Sequence, residues 1–200
     1  LPHDGNMTNA LVTLLNFSWF LAYPFSEGFA TRWVDRLGYR KTSVYSLLIF
    51  IAGLGFYEAA VLLHIYAPSY ITIMGNPIFT GFFIFLSGSF VIGMAVTILQ
   101  VVTGLYLDVN PVGKTTPLQR QMIGGTTNSI GMAIGPLVVS YIIFYGIPLH
   151  NVQSREFIWP VICLIAIICI FTLITARIKM PAINVCLLYT SDAADEGLGV

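Results

Sequence analysis

The chain carries very little charge. Of its 200 residues, 9% are Asp, Glu, Lys or Arg, against about 25% in an ordinary soluble domain. Hydrophobic residues make up 56% and the mean hydropathy is +0.83. One soluble core of this size cannot hide so much apolar surface, so the composition excludes a water-soluble globular domain and makes the bilayer the solvent. Formal net charge is zero, which excludes a strongly basic nucleic-acid binder. Cysteine is scarce as well. Cys163 and Cys169 lie within one apolar run and match no metal-ligand spacing, which leaves them as small packing or lipid-side residues. His3, His64 and His150 are scattered and read as loop or interface residues. No metal cluster, nucleophile–base pair or phosphate loop stands at bilayer depth, so an enzyme is not expected. Gly113-Lys114-Thr115 lacks the upstream glycine and the preceding strand of a phosphate-binding loop.

What the chain has in quantity is long apolar runs, with 14 Phe, 10 Tyr and 18 Gly. Residues 34–41, VDRLGYRK, form a short charged hinge between two such runs. Two segments of about 20 apolar residues joined by a tight basic turn predict a transmembrane hairpin. Gly38 supplies the positive φ that reverses the chain. The same pattern continues, and five spans are expected, at roughly 11–34, 43–66, 80–107, 121–146 and 158–177. Between the second and third, residues 67–76 read as a loop holding a short apolar stretch. Residues 108–119, DVNPVGKTTPLQ, read as a polar turn with two prolines. The fold class expected is therefore an all-α membrane protein.

Basic residues set the orientation. Arg32, Arg36, Arg40, Lys41, Lys114, Arg120, Arg177 and Lys179 fall on one side of these spans, and only Arg155 on the other. The basic side is expected in the cytoplasm, with the N-terminal loop outside, as in a multi-pass protein of a cell membrane such as the bacterial inner membrane.

Polar side chains recur inside the spans. Glu27 lies eight residues before Asp35, Gln100 eight before Asp108, and Asn128 eight after Arg120. At 1.5 Å per residue each sits about 12 Å inside the cytoplasmic boundary. Such groups face a bundle interior or a wet cavity. Two readings stand side by side for Gln100 and Asn128: a bond to a neighbouring helix, or a contact with a solute. A carboxylate such as Glu27 must be neutral, paired or wet at that depth. Glu58 falls near the outer interface and is expected to be solvated. Gly131, Gly135 and Pro136 form a small-xxx-small pattern with a proline that suits close helix packing, extended by Gly124 and Gly125, with Gly88 and Gly93 in the same role on the third span.

The C-terminal stretch looks foreign. Residues 186–196, CLLYTSDAADE, resemble the translation of a transposon-based sequencing adapter, and residues 197–200 fit the variable index and fixed bases that follow in that frame. The expected division is 1–185 as the protein and 186–200 as read-through. Without Asp192, Asp195 and Glu196 the balance becomes nine basic residues against six acidic ones, a net of +3.

The hinge resembles the loop signature of the major facilitator superfamily. Asp35, Arg36, Gly38, Arg40 and Lys41 match it, and Thr31 stands where the family has a glycine. The resemblance implies that these residues form a cytoplasmic gate that breaks and reforms during alternating access. Within the superfamily the chain looks most like the fucose–proton symporter group, which includes bacterial glucose/galactose transporters. Residues 20–23 leading into the hinge, residues 98–102 around Gln100, and Arg120 followed by residues 128–131 and Gly135-Pro136 carry that likeness. Three positions depart from the group: Gln100 replaces an acid, Gly125 replaces a glutamine, and Thr103-Gly104 replaces Asn-Pro.

The resemblance implies helices two to six of twelve, part of an N-terminal six-helix bundle, with a C-terminal half of the same chain as partner. It implies a secondary active transporter that takes up a sugar or similar small polar solute, coupled to a proton or sodium ion, with no other cofactor and no nucleic acid. Gln100 and Asn128 would bind the solute, since an amide both donates and accepts as a polyol requires. Glu27 would supply the titratable group that Gln100 lacks. A non-transporting membrane sensor or structural protein of the same fold is the alternative.

Overall fold

The computed structural model describes residues 5–73, 75–110, 113–145 and 153–180. The 185/186 boundary, the adapter-like tail, His3 and His150 lie outside the described residues. Among the described residues there are four α-helices: α1 Gly5–Tyr66, α2 Gly81–Val109, α3 Pro117–Phe144 and α4 Ile158–Arg177. A short 3-10 turn, Ser154–Phe157, leads into α4. Among the described residues, three helical stretches are long and apolar enough to cross a membrane: Met7–Tyr66, Gly81–Val109 and Ser154–Arg177. Helices of that length and composition make this a membrane-embedded, almost wholly helical chain. Along α3 the polar run Thr126, Thr127, Asn128 and Ser129 precedes an apolar second half.

The expected loop at 67–76 is in part a ribbon. Strands β1 Tyr70–Ile73 and β2 Asn76–Phe79 pair antiparallel, with Tyr70 opposite Phe79 and Ile73 opposite Asn76. Its alternating β-branched and aromatic residues suit an extended pair, and Gly75 at φ 80 allows the tight reversal.

The long helix α1 is two arms. Gly38 has φ 76 and ψ 166, a region open in practice only to glycine. Ser18 in the first arm donates its hydroxyl to the Leu86 carbonyl at 3.0 Å, and farther along, Trp19 and Ala22 meet Gly93. The first arm therefore runs parallel to α2. In the second arm Tyr39 stacks edge-on against Tyr106, whereas Tyr57 OH lies 2.8 Å from Ser89 Oγ. The second arm runs the opposite way, so the chain reverses at Gly38 as a hairpin.

Small residues make this packing possible. From Ser18 to Val34 the buried positions of the first arm are Ser18, Ala22, Ser26, Ala30 and Val34, one every four residues, which is one helical face. The second arm buries Thr42, Ser43, Ser46 and Gly53 in the same manner. A Cβ on Gly93 would stand 2.7 Å from the Trp19 carbonyl oxygen and 2.8 Å from Ala22 Cβ. Ser18 apart, which bonds across to α2, buried hydroxyls of α1 are satisfied within their own helix, as Ser26 is on Ala22 O at 2.7 Å and Ser46 on Thr42 O at 2.9 Å. Without a hydrophobic drive between lipid-solvated helices, close backbone approach supplies the attraction.

An apolar core cluster gathers Ala30, Val34, Tyr39, Ile98 and Val102, with Trp33, Tyr106 and Met180 against it. Met180 follows α4, while Ser154 before α4 lies 3.0 Å from His64 at the far end of α1. The last helix therefore returns towards the Gly38 end. In consequence Arg36, Arg40, Lys41, Arg120, Arg177 and Lys179 collect at one end of the bundle and Arg155 stands at the other.

Candidate functional site

The third helix starts with a complete capping box. Thr116 Oγ1 accepts from the Gln119 N–H at 3.3 Å, and Gln119 Oε1 accepts from the Thr116 N–H at 3.0 Å. Pro117 at the first helical position needs no N–H partner. This start fixes which residues of α3 face α2. Arg120, 8% exposed, donates Nε to Leu107 O at 2.6 Å, an Nη to Asp108 O at 2.9 Å and the other Nη to Thr115 O at 2.7 Å. Its guanidinium thus satisfies carbonyls that the end of α2 leaves open. One position on, Gln121 Nε2 donates to Gly104 O at 2.9 Å and to Asp108 Oδ1 at 2.8 Å.

Past this tie the two helices diverge and leave an open groove of about 390 Å³. Gln100, Thr103 and Gly104 line it from α2, and Gln121, Gly125 and Asn128 from α3. The two amides singled out in the sequence, Gln100 and Asn128, therefore share one groove, and both side chains are exposed to it. Asn128 has only a long contact from Nδ2 to Met132 Sδ, 3.7 Å, so its amide retains hydrogen-bonding capacity. Gly125 leaves the floor open, with nothing within 4 Å of where a Cβ would stand. The amides of Gln100 and Asn128 and the Thr103 hydroxyl can donate to and accept from a small hydroxylated solute, and Gln121, its amide hydrogens already used, can accept through its oxygen.

The remaining sequence candidates lie elsewhere. Glu27 is exposed on α1 and is not among the groove residues. Asp35, Arg36, Arg40 and Lys41 are all exposed around Gly38. Tyr39, by contrast, is buried among them; burial first, then the Asp35 and Asp108 carboxylates, push its phenol above the ordinary 10.0. Gly131, Gly135 and Pro136 do not lie in a close helix contact among the described residues: no atom comes within 4 Å of a Cβ built on Gly131 or Gly135. The two glycines line a wide apolar groove between α3 and α4, with Trp159, Pro160, Cys163 and Ile167 opposite. The close approaches involve Gly53, Gly88 and Gly93 instead, and Gly124 against Leu107. Glu58, expected to be solvated, is half-buried, and its Oε2 has no hydrogen-bond partner among the described residues.

Sequence reasoning missed Gln121 as a groove residue and Asp108 as the partner that holds it. A usable signal was present, since Gln121 and Asn128 are seven residues apart and so share a helical face.

No protein-family model, no curated protein and no solved structure matches the chain.

Proposed function

We propose that the chain belongs to a secondary active transporter of the major facilitator type that carries a sugar or similar small polyol. The observation that supports the reading best is the shared groove. Gln100 and Asn128 come from different helices, were singled out by their common depth, and line one cavity with Gln121 and Thr103. In this reading the two arms of α1, then α2, α3 and α4 are five spans of the N-terminal half. The end bearing Gly38 faces the cytoplasm, which the clustering of basic residues supports. Alternating access rocks this half around the groove. Asp35, Arg36, Gly38, Arg40 and Lys41 act at the cytoplasmic gate, and their exposure leaves them open to a partner half. Glu27 is the coupling group, an acid on a membrane helix that must be neutral, paired or wet.

The test is equilibrium binding of labelled D-glucose, D-galactose and L-fucose to protein expressed from its complete reading frame, together with uptake into vesicles under an imposed proton gradient. Replacing Gln100 or Asn128 by Ala lowers affinity about tenfold each, the effect of one lost hydrogen bond to a bound hydroxyl. Binding without accumulation selects the sensor reading, and no binding of any sugar removes the sugar assignment.

A further inference from the structure

The Gly38 hinge and the segment after α4 come together at the same end of the bundle. They form an open cleft of about 380 Å³ lined by Leu37, Tyr39, Arg40, Lys41, Lys179 and Met180. Three cations far apart in the sequence, two in the hinge and one after α4, thus face one space. Arg40, Lys41 and Lys179 are each exposed, and none of the described residues lining the cleft is a carboxylate, although Asp35 and Asp108 act on the phenol of Tyr39 in its wall. Like charges that share one space repel one another, and an anion among them relieves that repulsion. The cleft also has an apolar side. Leu37 is 36% exposed and Ile178, next to Lys179, is 47% exposed, while Met180 anchors the segment on the Ala30, Val34 and Tyr39 cluster.

Position decides which anion fits. The cleft stands where the first arm of α1 and the apolar helix α4 both end, which is the depth of lipid headgroups in a membrane-embedded chain. An anionic phospholipid satisfies both halves of the surface. Its phosphate meets the three cations and its acyl chains run along the adjoining apolar helices. A free phosphate satisfies only the first.

We propose that the cleft formed by Arg40, Lys41 and Lys179 is a binding site for an anionic phospholipid headgroup. The site holds the hinge and the segment after α4 together through one shared phosphate. It stands independently of any transport activity.

Trp33 provides a local reporter, because it packs on the same cluster as Met180. The protein carries Trp19→Phe and Trp159→Phe so that Trp33 is its one indole. It is reconstituted in phosphatidylcholine membranes containing a minor fraction of phosphatidylglycerol. Quenching of Trp33 is compared when the bromine atoms sit on phosphatidylglycerol or on phosphatidylcholine. Excess quenching by brominated phosphatidylglycerol is expected. Changing Arg40, Lys41 or Lys179 to Gln lowers the relative association constant about fivefold each. Lys179→Arg retains it. Millimolar inorganic phosphate does not displace the lipid.

Equal quenching by the two lipids, or excess quenching that survives all three Gln substitutions, overturns the proposal. Displacement by inorganic phosphate also overturns it and makes the cleft a free-anion site. Should the single-Trp form fail to fold, mass spectrometry of lipid retained by wild-type protein and by each Gln variant gives the same comparison. Phosphatidylglycerol retained by the wild type and lost from the variants then supports the site, and equal retention overturns it.

Discussion

Gln121 Nε2 lies 2.8 Å from Asp108 Oδ1 and 2.9 Å from Gly104 O, which joins the start of α3 to the end of α2. Both amide hydrogens are used, so the orientation of this amide is fixed. Because one acceptor is a carboxylate, each partner is expected to matter by about 1.5–3 kcal/mol. Asp108→Ala and Gln121→Leu should each lower unfolding stability in detergent by that order. Asp108→Asn keeps an acceptor and should lose less. The double variant Asp108→Ala/Gln121→Leu should be less destabilised than the sum of the singles. Strict additivity would show that the contact does not form.

Glycines on the same membrane helices should respond differently. A Cβ at Gly93 runs into the Trp19 carbonyl and Ala22, and a carbonyl on a packed backbone cannot step aside. Gly93→Ala should therefore destabilise by about 1–3 kcal/mol. Gly38→Ala places a side chain at φ 76 and should cost about as much through backbone strain. Gly131 has open space around it, so Gly131→Ala should be neutral or gain up to about 1 kcal/mol from helix propensity. Thermal unfolding of the three variants in one detergent ranks them. A loss at Gly131 equal to that at Gly93 would mean that another helix covers Gly131.

That contrast shows how far the sequence could be read. The hinge at Gly38 was legible because charge, glycine and two apolar flanks coincide within eight residues. The boundaries of α4 were legible for the same reason, with Arg155 before it and Arg177 at its end. The glycines were harder. Gly131 and Gly135 have the motif spacing, yet Gly93 makes the contact, because spacing alone does not say which face another helix covers. The face that is covered carried a different mark. Ser18, Ala22, Ser26 and Ala30 recur every four residues, a stripe of small residues that mixes serine with alanine and so escapes a hydrophobicity count. Gln100 and Asn128 were placed in one groove by matching depths. Glu27 shares their depth but not their groove, because depth fixes height along a helix and leaves rotation about its axis free.

Glu27 has an expected outcome of its own. In the proposed transporter a coupling group must exchange a proton during the cycle, which an amide cannot do. Glu27→Gln should abolish proton-driven accumulation of the solute while leaving downhill exchange across the same vesicles. Accumulation at wild-type level would remove Glu27 from the coupling role and leave the groove assignment untouched, since the two are separate in space.

Arg120 should be intolerant even of Lys. Its three hydrogen bonds spread over Leu107, Asp108 and Thr115 carbonyls, a span that a planar guanidinium covers and a single ammonium does not. Arg120→Lys should leave at least one of these carbonyls without its partner and cost about 1–3 kcal/mol. Arg120→Ala should cost more. Because the Thr115 bond closes the turn between the helices, limited proteolysis should cut near residues 110–116 faster in both variants. Unchanged cleavage would mean that the capping box at Thr116 holds the turn by itself.

Tyr39 sets a limit at high pH. Its phenol is raised above the ordinary 10.0 by burial and by the Asp35 and Asp108 carboxylates. A raised value means that the folded protein holds this proton more tightly than the unfolded chain does. The associated stability is full below pH 10 and is lost as pH climbs through the higher folded value. Wild-type protein should therefore lose stability above about pH 10, and Tyr39→Phe should lose less over the same window. Below pH 9 the two should differ by a constant amount, the effect of the missing hydroxyl alone. Asp35→Asn should bring the folded value part of the way back, because burial is the larger cause and remains. Phenolate absorbance of wild type minus Tyr39→Phe isolates this titration from the other tyrosines. A difference spectrum centred at or below pH 10 would show that the ring is not buried against Tyr106 and the α2 end.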